Sequence, residues 1–131
     1  MTETIQDDEL FEHNLHHFLE WLEVLVMQPK DACETWGNYN VAWELVNDLK
    51  LDGNAITANP YSYLTEDQKQ EIINFLSSLV KIPESILVSA TTPEANEEAM
   101  SHPYWKNYRL AAQKLIKILG SASKRNKEYF S

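Results

Sequence analysis

The sequence is poor in the residues that make covalent cross-links and tight turns. One cysteine (Cys33), three glycines and five prolines occur in 131 residues. A lone cysteine cannot close an internal disulfide, which excludes the cross-linked secreted scaffolds. So few glycines and prolines leave little material for tight hairpins, and strict apolar alternation never persists beyond a few residues. The longest wholly apolar run is residues 24–27, whereas a membrane-spanning helix needs roughly 20 such residues. Residues 1–8 are polar and acidic, the opposite of the basic-then-apolar start of a signal peptide, so a cytoplasmic protein is expected. Positive charge is scarce as well: 11 Lys and Arg stand against 20 Asp and Glu, a formal net charge of -9. That balance argues against a duplex nucleic-acid binder, whose affinity comes largely from phosphate attraction. What is abundant is apolar and aromatic material, 44% and 11% of the chain, far too much for a disordered acidic segment.

The charge is unevenly spread. Residues 1–99 carry 19 carboxylates and four basic side chains, a formal -15, whereas residues 100–131 carry one carboxylate and seven basic side chains, +6. Segregation of this kind points to an electrostatic contact within the molecule or to an acidic surface turned toward a partner. A basic C-terminal helix docked on an acidic body accounts for part of it and leaves most of the acidic excess uncancelled.

Apolar residues recur at three-and-four spacing nearly throughout, so the expected fold is all-α: one domain over 1–131, a bundle of five to six helices. Asp7 or Asp8 caps a first helix to about Gln28, with Phe11, Leu15, Phe18, Leu19, Leu22, Leu25 and Val26 inward and Glu9, Glu12, His13, His16, Glu20 and Glu23 on the other side. A short helix or turn over 30–36 ends at Gly37. A helix from Asn38 or Asn40 to about Leu51 buries Ala42, Leu45, Val46 and Leu49. Asp52-Gly53-Asn54 reads as its stop, since Gly and Asn readily take the left-handed conformation, and residues 55–64 as a loop. Thr65 caps a helix to about Val80 that buries Ile72, Ile73, Leu76 and Leu79, with Glu66 and Asp67 at its positive end. Residues 84–88 fit a short helical segment or a strand. Thr92 and Pro93 open an acidic helix to about Met100. The last long helix, 104–119, directs Leu110, Ala111, Leu115, Ile118 and Leu119 inward; Gly120 ends it, and 121–131 is a basic tail, frayed unless Tyr129 and Phe130 tie it down.

No constellation for catalysis emerges. His13, His16, His17 and Glu20 have spacing that metal ligands sometimes use, but His102 and Cys33 stand alone and no second cluster completes a shell. The histidines are read as solvated. Cys33 with His102 lacks a supporting local motif, and acidic neighbours raise a thiol rather than activate it. There is no Gly-rich phosphate loop, and paired carboxylates such as Glu97-Glu98 are read as helix-surface solvation. Tyr104, Trp105 and Tyr108 among Lys106, Arg109, Lys114 and Lys117 are read as packing, with the lysines toward solvent. A non-enzyme without metal or cofactor is expected.

Aromatic residues flanked by acids are the stronger signal. Trp36, Tyr39, Trp43 and Asn47 fall at three-and-four spacing, with Glu34, Glu44 and Asp48 beside them and Tyr61 and Tyr63 in the following loop. Tyr and Trp serve as interface anchors, and surrounding carboxylates steer a basic partner; the competing reading is that Trp36 and Trp43 fill the core. A small acidic helical chain with aromatics interleaved among carboxylates over 34–48 and 59–63 resembles the bacterial immunity proteins that neutralise secreted nuclease toxins, especially those protecting against contact-dependent growth-inhibition toxins. It departs from the shorter colicin DNase immunity proteins, whose adjacent tyrosine pair is replaced here by the separated Tyr61 and Tyr63. The resemblance implies a cognate toxin domain as partner in a 1:1 complex, with neither nucleic acid nor membrane bound, and inhibition by covering a basic active site or substrate groove. Glu20, Glu23, Glu34, Glu44 and Asp48 would supply charge, and Trp36, Tyr39 and Tyr61 would act as anchors. The alternative is an acidic inhibitor or adaptor of mobile-element origin that mimics nucleic acid.

Overall fold

In the computed structural model, which describes residues 7–35, 41–83, 87 and 92–131, the first helix, α1 (Asp7–Val26), is the element around which the others pack. Its stripe of Phe11, Leu15, Phe18, Leu22 and Leu25 is fully buried, and Trp21 and Val24 extend the buried face on either side. A face this wide suits a helix with neighbours on more than one side. Then follow α2 (Pro29–Thr35), α3 (Val41–Ala58), α4 (Glu66–Leu79), α5 (Pro93–Ser101), α6 (Trp105–Ile118) and α7 (Gly120–Tyr129). The described residues thus hold seven helices and no strand. The all-α class agrees with the sequence pattern, and the count exceeds the expected five to six because the C-terminal tail is itself a helix. α1 packs on α3, α6 and α7; α3 also packs on α4 and α5, and α2 lies mainly against α5. Their buried side chains form one contiguous core.

Two helix starts follow directly from local chemistry. Thr65 accepts from the Gln68 N–H, and Gln68 in turn accepts from the Thr65 N–H, closing a capping box at the head of α4. The Gln68 amide also donates to the Ile118 carbonyl (3.1 Å) and to Ser121 Oγ (3.2 Å), so one buried side chain satisfies its own helix start and the end of α6. Thr92 caps α5 through the Ala95 N–H, with Pro93 in the first turn. The start of α3 has a third solution. The Val41 N–H donates to Oδ1 of Asn96, a fully buried residue of α5, at 2.9 Å.

Several expectations are corrected. α3 does not stop at Asp52-Gly53-Asn54 but continues to Ala58, which shortens the loop after it. Gly53 is a packing residue: a Cβ there would lie 2.7 Å from Leu76 Cδ1 and 3.1 Å from Phe18 Cε1, so its bareness lets α1, α3 and α4 meet. In α4 the buried positions include Phe75, and Ile73 faces outward. In α6 the inward stripe is Trp105, Ala112 and Leu115, continued by Leu119 just past its end, whereas Leu110 and Ala111 are exposed and Ile118 is half-buried. Tyr108 reaches the end of α4 and Tyr104 the turn after it, and together they fix that phase, donating to the Ser78 carbonyl at 2.8 Å and the Lys81 carbonyl at 2.9 Å. Gly120 opens α7 rather than ending the chain's order, and Ala122 and Asn126 are buried. Glu12, expected on the outer face of α1, is buried. The expected turn at Gly37 and the segment 84–88, apart from the helical Leu87, lie outside the described residues.

Candidate protein-binding surface

The acidic excess of the N-terminal region is not neutralised by the basic helices. Among the described residues the charged contacts are local: Lys69 with Glu66 (3.6 Å) on α4, and on α1 His13 beside Glu9 (3.9 Å) and His16 beside Glu20 (2.7 Å), ion pairs when the histidine is protonated. The C-terminal helices instead dock through Trp105, Ala112, Leu115, Leu119 and Ala122, and Lys106, Lys114, Lys117, Lys124 and Lys127 stay exposed. Trp105 is wholly buried, with its indole N–H donating to the Ala99 carbonyl (2.9 Å), so it has no ring face to offer a nucleobase.

Two acidic features result. One is a row on α3. Glu44, Asp48 and Asp52 recur every four residues, so they share a face and stand about 6 Å apart along the helix axis. Partial burial and the Asp48 charge raise the Glu44 carboxyl above its ordinary value. Burial pushes Asp52 up to about 6, with the Asp48 charge adding to it and His17 of α1 opposing. Like charges one turn apart repel, and among the described residues no ion pair relieves this row. Trp43, half-exposed at 50%, sits one residue before Glu44 and is a surface residue rather than the core filler considered above.

The second feature is a cleft of about 500 Å³ between α1, the 59–65 loop and α7. Its floor is Glu12, 6% exposed. The Tyr63 O–H donates a short hydrogen bond to Glu12 Oε1, and the Asn126 side-chain amide donates to the same oxygen at 3.3 Å and to the Glu12 carbonyl at 2.9 Å. Burial, the bond to Glu12 and its charge hold the Tyr63 phenol well above its ordinary range. The Tyr63 ring meets Phe11 edge-on at 4.8 Å and carries the Arg125 guanidinium over its face at 3.9 Å. Asp8, Tyr61, Glu128 and Tyr129 complete the walls. Partial desolvation and the carboxylates of Glu9, Asp8 and Glu12 raise the Tyr129 phenol, a sign of how negative this mouth is.

The sequence-derived residues therefore do not form one spot. Glu44 and Asp48 fall together on α3. Glu20 and Glu23 lie on α1, the first half-exposed and ion-paired, the second exposed. Glu34 is exposed on α2, which belongs with α5 rather than with the α1–α3 face. Tyr61, 60% exposed, stands past the far end of α3, roughly 20 Å from Glu44 by helical rise, its backbone N–H fixed by Asn59 Oδ1 at 2.7 Å. Trp36 and Tyr39 lie outside the described residues. Glu12, Arg125, Asn126 and Tyr129 were missed as site residues. The only local signal was Tyr63 beside Tyr61, because the groups that meet it come from 51 and more positions away. Among the described residues no group of three or more His, Cys, Asp or Glu is placed to hold a metal ion, and no helix is long and apolar enough to cross a membrane. Cys33 is buried, and burial together with Glu97 raises its thiol, an unreactive setting. Comparison with known proteins finds no matching family model, curated protein or solved structure.

Proposed function

We propose that the chain is an immunity protein, which binds a cognate bacterial toxin, a basic nuclease domain, and neutralises it by covering its active site or substrate groove. The observation that carries this reading is the acidic surface of α1 and α3, whose carboxylates form no ion pair with the basic C-terminal helices among the described residues. A nuclease domain must be basic to hold its substrate, so it is a natural complement, and such pairs associate fast and lose rate with salt. Half-exposed Trp43 and exposed Tyr61 support it further, being the residue types that anchor interfaces. Binding to a nuclease domain encoded beside this chain, with rescue of cells that express it, is the expected result. E44K/D48K should slow association about tenfold at low salt. Unchanged capture by that variant at low salt would remove the reading.

A second reading, an inhibitor that mimics nucleic acid without a dedicated toxin, draws on the regular spacing of Glu44, Asp48 and Asp52. It predicts comparable inhibition of several unrelated nucleases, where an immunity protein protects against one.

A further inference from the structure

We infer that the cleft between α1, the 59–65 loop and α7 is a receptor for an arginine side chain of a partner protein, and that Arg125 is its resident stand-in. The proposal deepens the reading above in naming the group recognised, and it rests on that reading only for the identity of the partner. Three properties of the cleft carry it.

Its volume, about 500 Å³, leaves room for a side chain to enter from solvent. Its lining joins three carboxylates (Asp8, Glu12 and Glu128) to the rings of Tyr61, Tyr63 and Tyr129, with one guanidinium among them. Carboxylates beside aromatic faces are the two kinds of group that bind a planar cation, the first through paired N–H bonds and the second through the ring quadrupole. Most directly, the cleft already holds a guanidinium. Arg125 lies 3.9 Å from the centroid of the Tyr63 ring, and it makes no ion pair with a carboxylate among the described residues. Attraction to the ring face therefore holds it, while both side-chain hydrogen bonds to Glu12 converge on Oε1. Among the described residues, Glu12 Oε2 is left to accept from a donor entering the cleft.

Arginine rather than lysine fits because a guanidinium is flat enough to lie on a tyrosine ring while its edge pairs with a carboxylate. An ammonium satisfies one of these demands at a time. Arg125 is exposed, on the last turns of a surface helix, so it can swing aside or shift along the ring when a second guanidinium enters.

The test uses the whole protein and three small probes, N-acetyl-arginine amide, N-acetyl-lysine amide and N-acetyl-glutamine amide, followed by amide chemical shifts. Saturable shifts in the millimolar range with the arginine probe, centred on Asp8, Tyr61 and Tyr129, are expected. Y61A and E128Q, both at exposed positions, should each weaken it about three- to fivefold with the circular dichroism unchanged. R125M should tighten it, since the resident cation is gone. Equal binding of the lysine probe, shifts that do not saturate, or indifference to both Y61A and E128Q would overturn the proposal, and weakening by R125M would show that Arg125 builds the site instead of occupying it. No toxin enters this experiment, so absence of a cognate nuclease leaves its result standing. Conversely, capture of a nuclease lost in E44K/D48K but untouched by Y61A and E128Q would sink the cleft while sparing the immunity reading.

Discussion

Glu12 and Asp52 are both carboxylates withdrawn from water, and the fold treats them in opposite ways. Glu12, the more deeply buried, is supplied with donors from two distant elements, Tyr63 of the loop and Asn126 of α7. Asp52, on the α3 row, is pushed up to about 6 by burial, which His17 opposes and the Asp48 carboxylate one turn away reinforces. Depth alone does not decide the cost of an acid; the donors brought to it do. The first carboxylate is a joint that holds α1, α7 and the loop together. The second sits in a row of like charges that a positively charged partner would relieve.

Four substitutions break or sharpen that contrast. E12A should have the largest effect, a loss of about 2 kcal/mol in urea unfolding, because it leaves the half-buried Tyr63 hydroxyl without its acceptor and removes the longer of the two Asn126 bonds, the one to the Glu12 carbonyl remaining; a loss below about 1 kcal/mol would show that the joint carries little. Y63F removes one donor and keeps the ring under Arg125, so about 1.5 kcal/mol is expected from the same measurement. D52N should act in the other direction. In the folded protein Asp52 holds its proton up to about 6 against 3.8 ordinarily, so stability falls as pH rises across that window and stays lower above it. Replacing it by Asn should remove that slope and gain about 1 kcal/mol at neutral pH after allowance for solvent screening. A loss of stability in D52N at neutral pH would mean that the His17 attraction outweighs burial and the Asp48 repulsion. E23Q, at an exposed position on α1, should change unfolding by less than about 0.5 kcal/mol yet slow capture of a basic partner at low salt.

How much of this was legible depended on how far apart the deciding groups lie in the chain. Thr65 and Thr92 were readable as caps because their partners are three residues on. The periodicity of α1 was readable because its stripe is long and strongly apolar. Gly53 was misread, since the local rule for glycine is a helix stop and its actual reason is the approach of Phe18 and Leu76 from other helices. The phase of α6 was misread because Leu110 looked as apolar as Leu115, and only the bonds of Tyr108 to the end of α4 and of Tyr104 to the turn after it settle which way the helix turns. The site divides in the same way. Half-buried Glu44 and Asp48 share one helix and could be grouped from spacing, whereas Glu12 next to Phe11 looked like an ordinary solvent-facing acid. Its donors, at positions 63 and 126, carried no local trace of it.

The cap that Asn96 provides to Val41 has a consequence for local opening. The first amide of a helix has no carbonyl behind it and ordinarily exchanges its hydrogen with solvent freely. Here that amide is sealed by a side chain from 55 positions away, so the Val41 hydrogen can leave only when α5 lifts from α3 or α3 unravels at its head. Hydrogen exchange at this single position, compared with N96A, would therefore read the attachment of α5 separately from unfolding of the rest. A partner that gripped α3 and α5 together would slow that exchange without touching Val41.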